Sequence, residues 1–277
     1  RLMFMKKKDI IKRVRLHGRG GQGMKTASRI VGTAAFMGGY YAQDFPVYGA
    51  ERRGAPIMAF TRLSDNPILE RGIITCPDIN IIADETLLDD NAAKVLQGMD
   101  NGTITMVNTH YTPTHVKETY SVKGEVATVD ITETVLKIIN RPALSSVAAA
   151  SACKLTGIIS RDSLKEAVTR ELTDIHLKRE SIDKNVEAAQ VCFDNTPDIS
   201  AAGSKHSEGY NGNSIVRLKY ADPCVGTPSV YAMGNTIDRK TGNWRLYKPV
   251  IDYEECSMCR ACFVHCPHSC ISIDESG

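Results

Sequence analysis

The chain has 277 residues, with 34 Lys and Arg against 32 Asp and Glu, for a formal net charge of +2. So even a balance gives no extended field, and neither nucleic acid nor an anionic membrane surface is expected as a partner. Aromatic residues make up 6% and Trp244 is the one tryptophan, which argues against a stacking platform for single strands or carbohydrate. No apolar run approaches the roughly 20 residues of a membrane span. The segment Met5-Lys6-Lys7-Lys8-Asp9 leads into Ile10-Ile11-Lys12-Arg13 without a signal-peptide core. A cytoplasmic location is therefore expected, which also suits reduced thiols.

In chain order, Val14-Arg15-Leu16-His17 reads as a short strand and residues 23–37 as a helix. Apolar runs at 57–63, 79–83 and 103–108 predict further strands. Apolar strands alternating with helices imply a central sheet covered on both faces, an α/β fold. Residues 145–155 are alanine-rich and small on all sides, as a helix buried against another helix or subunit would be. Leu164, Val168, Leu172, Ile175, Ile182, Val186 and Ala189 predict one long helix over 161–193, with Ser160 as its cap.

The composition then turns polar and glycine-rich, as in Gly203-Ser204-Lys205-His206-Ser207-Glu208-Gly209. The expected organisation is an α/β domain over 1–195, a linker and extended segment over 196–240, and a small α+β module over 241–277. In that last module a strand, a cysteine loop, a short helix and a resumed strand at Ile271-Ser272-Ile273 follow in order.

Gly18-Arg19-Gly20-Gly21-Gln22-Gly23 follows the first strand and opens a helix, and Asp44 lies downstream. This formally matches a dinucleotide fingerprint, whose acidic residue falls about 20 residues on. The plainer reading is a tight strand-to-helix turn with a close helix–sheet contact. Glu51, Arg52 and Arg53 sit between Gly49 and Gly54 and could grip a phosphate, a carboxylate or a partner subunit, or form a solvated ion pair. His17, just before the glycine turn, is by default a satisfied loop histidine.

Cys256-Ser-Met-Cys259-Arg-Ala-Cys262-Phe-Val-His-Cys266-Pro267 has the cysteine spacing that holds iron–sulfur clusters in bacterial ferredoxins. A cluster presents its iron corners close together, so a tight loop must turn sulfur after sulfur toward one point. Pro267 keeps the next helix from starting early. Structural zinc draws its thiolates as two separated pairs, a poorer match, and a chain of this size needs no disulfide framework. Cys256, Cys259 and Cys262 are expected to ligate one 4Fe–4S cluster and Cys266 a second, as in two-cluster ferredoxins.

Cys270 is read as a packed or neighbouring thiol at the start of a strand. No second cysteine run precedes Gly277. The remaining ligands are therefore expected on a continuation, with a three-iron or incomplete cluster as the alternative. Arg260 and His265 could add positive charge near the cluster. Cys76, Cys153, Cys192 and Cys224 are isolated and are read as packing residues.

The glycine turn, taken with Tyr48-Gly49-Ala50-Glu51-Arg52-Arg53-Gly54-Ala55-Pro56, resembles the gamma module of the 2-oxoacid:ferredoxin oxidoreductases. Gly242-Asn243-Trp244-Arg245-Leu246-Tyr247-Lys248-Pro249-Val250, running into Cys256, resembles the delta module, a two-cluster ferredoxin. The order resembles a gamma–delta fusion, an arrangement similar to that of oxalate oxidoreductase; pyruvate and 2-oxoisovalerate enzymes remain open.

The resemblance implies partners: catalytic subunits carrying thiamine diphosphate and Mg, and ferredoxin as electron acceptor. It implies an electron-transfer and assembly subunit with no complete catalytic site of its own. The glycine turn and the Glu51–Arg53 loop then become contact elements flanking an active site on other chains. A nucleotide-binding reductase with an appended ferredoxin is the competing function, and a colourless zinc scaffold a third.

Overall fold

The computed structural model describes residues 11–46, 54–91, 93–203, 250–267 and 270–273. The chain divides into two units, Arg1–Trp244 and Arg245–Gly277. In the first, β1 (Ile11–Arg19), β2 (Tyr41–Pro46), β3 (Pro56–Ser64), β4 (Ile79–Ile82), β5 (Ile104–Val107) and β6 (Glu125–Thr128) form one sheet in the order β2-β3-β1-β4-β5-β6. β1, β4, β5 and β6 are parallel, while β3 runs antiparallel between β1 and β2. The helices of this unit are α1 (Met24–Met37), α2 (Pro113–Tyr120), α3 (Ile131–Ile139), α4 (Ser145–Thr156), α5 (Arg161–Asp174) and α6 (Arg179–Asn195).

Side chains alternate across each strand, so each face collects its own set. Val14, Leu16, Ala59, Leu63, Ile79, Ile81, Ile104 and Met106 share one core with α1 and α3 to α6. Ile82, Val107 and Val126 build a smaller one with Leu87, Val95 and Val116 of α2. The sheet is thus covered on both faces, as expected. β1 departs from the apolar strands expected: its second face carries Arg13, Arg15, His17 and Arg19, none more than 4% exposed.

Buried cations persist only when paired and hydrogen-bonded. Arg13 binds Glu70 through Nε at 3.0 Å and Nη2 at 2.5 Å, and Arg62, opposite it on β3, shares the same carboxylate at 3.3 Å. Arg15 donates to Asn80 Oδ1 and to the carbonyls of Thr75, Val95 and Gln97, which fastens the segments covering β1. Burial draws its guanidinium down to about 10. On the other face, Lys12 Nζ reaches the carbonyls of Thr156 and Ala201, both at 2.5 Å.

The alanine-rich α4 is buried at Ser146 through Cys153 and again at Leu155 and Thr156, packed on α1 and α6. Small side chains are what allow a helix to be enclosed on all sides. Ser160 caps α5 as expected, its Oγ accepting from the Ser163 N–H at 3.0 Å. The single helix expected over 161–193 is instead two, α5 and α6. His176 adopts a left-handed φ of 59°, and the Leu177 N–H turns back to Leu172 O at 3.1 Å. Both helices still present their apolar stripes to one core, which is why the spacing read as continuous.

Residues 196–203, expected to begin the linker, are docked. Thr196 Oγ1 donates to Ser151 Oγ, and the Ala201 N–H to Leu155 O. Residues 204–240 lie outside the described residues. In the second unit the described residues form a loop and one short helix, α7 (Ala261–Val264). The strand expected at 271–273 is not formed.

Candidate functional site

The glycine turn ends β1 and starts α1. Gly20 N–H donates to Ala55 O at 2.8 Å and Gly54 N–H to Gly20 O at 2.9 Å, joining the turn to the chain entering β3. Gln22 Oε1 accepts from the Arg19 N–H at 2.7 Å, and its Nε2 donates to Asp84 Oδ2 at 2.8 Å. Arg19 Nε lies 3.3 Å from the same carboxylate oxygen, Nη2 donates to Thr86 Oγ1 at 2.6 Å, and Nη1 to Gly54 O at 3.1 Å. Thr86 Oγ1 in turn donates to Asp84 Oδ1 at 2.5 Å. Charge and donors are thus matched inside the protein, across the crevice between the carboxyl ends of β1 and β4.

This geometry does not make a dinucleotide cradle. A Cβ on Gly18 would come 2.6 Å from Met24 Cγ, and one on Gly23 would come 2.9 Å from Ser145 Cβ. These glycines make room for protein neighbours. Asp44 stands on β2, separated from β1 by the whole of β3, with its Cβ 3.6 Å from the Cβ position of Gly32 on α1. Burial raises its carboxyl. A ribose-binding acid would need the neighbouring parallel strand.

His17 departs from its default reading. It is 1% exposed, its Nε2 has no hydrogen-bond partner among the described residues, and burial, then Arg15, push it down to about 3. Glu51, Arg52, Arg53 and Cys224 lie outside the described residues. Cys153 and Cys192 are buried and burial raises both thiols, Cys192 to about 11, which makes them packing groups. Cys76 is exposed.

The expected ligands occupy the loop around α7. Cys256 and Cys266 are half-buried, while Cys259 and Cys262 are exposed. Met258 and Arg260 adopt left-handed φ values of 52° and 60°, which coil the loop tightly. The Ala261 N–H, with Ser257 second, holds the Cys259 thiol below its ordinary value. Cys270, read from the sequence as a packed or neighbouring thiol, is exposed and so not packed. Its Sγ lies 3.4 Å from Cys266 Sγ, and its own N–H points to that sulfur, so the two thiols meet across one turn of chain. Hydrogen bonding with Cys266 raises the Cys270 thiol.

Among the described residues no three His, Cys, Asp or Glu side chains are gathered at metal-binding distance, so Cys256, Cys259, Cys262 and Cys266 are not brought together as a set. The donor chemistry nevertheless fits iron. Five thiols lie between Cys256 and Cys270, one already biased toward thiolate by a backbone amide.

Sequence reasoning missed Asp84, Thr86 and Glu70, which close the polar side of β1 from positions distant in the chain. Asn108 was missed as well: it ties the ends of β4 and β5 to the start of α3, donating to Ala83 O at 2.8 Å and accepting from the Ile131 N–H at 3.1 Å. A polar residue directly following an apolar strand was the available signal.

Residues 13–194 match the family model described as pyruvate ferredoxin/flavodoxin oxidoreductase. The common gamma subunit of the pyruvate/ketoisovalerate oxidoreductases of Thermococcus kodakarensis is 38% identical over 184 residues, 66% of this chain and 96% of that protein. The pyruvate synthase subunit PorC of Methanothermobacter marburgensis is 37% identical over 181 residues, 65% of this chain and 95% of its own length. The crystal structure of the pyruvate oxidoreductase subunit PORC of Thermotoga maritima superposes with a TM-score of 0.57 at 30% identity, covering 67% of this chain and 96% of that one.

Proposed function

We propose, from the premise that the chain belongs to the pyruvate ferredoxin/flavodoxin oxidoreductase family and is a gamma subunit of such a complex, that it joins assembly and electron transfer in one polypeptide. The family match ends at residue 194, and the cysteine unit lies beyond it. The observation that supports the reading is this covalent union of a gamma unit with five thiols between Cys256 and Cys270.

In this proposal the first unit docks on catalytic subunits that carry thiamine diphosphate and Mg. Cys256, Cys259 and Cys262 would hold one 4Fe–4S cluster and Cys266 would contribute to a second. Such clusters supply one-electron transfer toward ferredoxin. This chain's own part is positional. The Ala261 N–H and the Ser257 hydroxyl favour thiolate at Cys259, and the left-handed Met258 and Arg260 set the pitch of the loop. The crevice network of Arg19, Gln22, Asp84 and Thr86 holds the glycine turn rigid where the subunit would meet its partners. The pyruvate and ketoisovalerate relatives favour a 2-oxoacid as the substrate of the complex. Oxalate rests on the gamma–delta arrangement alone.

Anaerobically isolated protein is expected to contain iron and acid-labile sulfide in equal amounts, and Cys259→Ser to lose the visible absorption and most of the iron. Zinc without sulfide, or unchanged iron in Cys259→Ser, would overturn the electron-transfer role. Copurification with two catalytic subunits checks the assembly role.

A further inference from the structure

Two thiols of the cysteine loop already meet. Cys266 Sγ and Cys270 Sγ stand 3.4 Å apart, and the Cys270 N–H also points to the Cys266 sulfur at 3.4 Å. Other thiols of the loop are engaged elsewhere: Cys256 Sγ faces Met258 Sδ at 3.9 Å, and Cys259 takes the Ala261 N–H and the Ser257 side chain. Cys270 is exposed and Cys266 half-buried, so a small molecule reaches the first while the chain holds the second beside it. A disulfide needs its sulfurs about 2 Å apart. The remaining gap is within the swing of two side chains about their χ1 bonds. No described residue of this loop is buried, so little packing opposes that movement.

We infer that Cys266 and Cys270 are a dithiol–disulfide couple, a redox modification site for small-molecule disulfides that is open only while Cys266 holds no iron. The condition on iron rests on the electron-transfer reading proposed above; the pairing rests on the sulfur geometry. Cys270 Sγ attacks one sulfur of the small disulfide, whose S–S bond breaks, and one small thiol leaves with a proton. Cys266 Sγ then displaces the second small thiol from Cys270. The two protein thiols are oxidised, the small disulfide is reduced, and both protons leave on the two small thiols. With only three residues between the cysteines, ring closure outruns a second encounter with thiol from solution. The product withholds Cys266 from a cluster. Being exposed, it is the labile kind of disulfide that an excess of small thiol reopens.

Thiol alkylation followed by peptide mass spectrometry tests it on the purified full chain, kept free of oxygen and equilibrated with oxidised and reduced glutathione in graded ratio. In the chelated, iron-free chain a loss of two hydrogens shared by Cys266 and Cys270 is expected. It should grow with the share of oxidised glutathione and vanish in reduced glutathione. Two alkylated thiols at every ratio, or disulfides spread evenly over Cys256, Cys259 and Cys262, would overturn the couple. Cys270→Ala should leave Cys266 carrying a mixed glutathione disulfide; an internal bond from Cys266 to another cysteine at wild-type yield would overturn the pairing too. In the iron-loaded chain the disulfide should be absent. Equal disulfide with the iron retained would overturn the claim that pairing and ligation exclude each other. A chain isolated without iron would end the electron-transfer reading and the condition on iron with it. The iron-free measurement still decides the pairing, so the two fail separately.

Discussion

At His17 burial disfavours the charged imidazole so strongly that it stays neutral down to about pH 3, against 6.5 when exposed. The unfolded chain therefore binds the proton first. This contribution to stability is fully present above about pH 6.5 and is lost as pH falls toward 3, by about 1.4 kcal/mol per pH unit. His17→Phe keeps the ring and removes both the titration and the unpaired Nε2. Its urea midpoint should fall less than the wild type's between pH 7 and 5.5, and equal slopes would sink the assignment. Two strands share Glu70 in the same polar layer, with Arg13 and Arg62 each 2% exposed. Glu70→Gln removes the one carboxylate that both buried guanidinium groups share, leaving Arg13 with Asp78 at 3.9 Å and Arg62 with Gln43 Oε1 and Gly72 O, and should cost about 2–3 kcal/mol, read from denaturant unfolding. Conservative as the change looks, it breaks a charge arrangement rather than a contact.

Elements whose signal is local could be read from the sequence. The apolar runs of β3, β4 and β5 and the small-residue pattern of α4 reflect burial of the segment itself. β2 was not legible, because an edge strand such as Tyr41–Pro46 is half-exposed and does not alternate cleanly. β6 is as short as β4 and β5 but buries only Val126 and Ala127, so it shows no apolar run. The break between α5 and α6 was hidden because both halves feed one core. The reading of the cysteine loop rests on ligand spacing, which is local, whereas the closure of the crevice was not legible, since Arg19 finds Asp84 and Thr86 only after folding. The glycine turn shows how one pattern can carry two meanings. Gly23 sits at φ 79° with Ser145 Cβ 2.9 Å from where its own Cβ would be. Gly23→Ala should therefore strain the turn and push α4 off α1, costing about 1–3 kcal/mol by thermal or urea unfolding. Ala149→Leu, at a fully buried position of α4, should cost a similar amount by overpacking.

The two units of the molecule are held by different physics. The first has two hydrophobic cores that take in most of its buried apolar side chains. In the second no described residue is buried, and Val250 and Val264 are 82% and 72% exposed. So little apolar burial among the described residues does not offset the entropy of ordering the backbone, and the proposed function assigns the missing stability to cross-links through a bound group. If thiolate–iron bonds are those cross-links, hydrogen exchange will separate the units. The amides of Phe263, Val264 and His265, which turn back on Arg260 and Ala261, should be protected in the iron-loaded chain and exchange freely after chelation. The amides of β1 should be equally protected in both states. Protection of α7 that ignores iron would mean that the short helix is held by protein contacts alone, and the thiols would then lose their claim to a structural role.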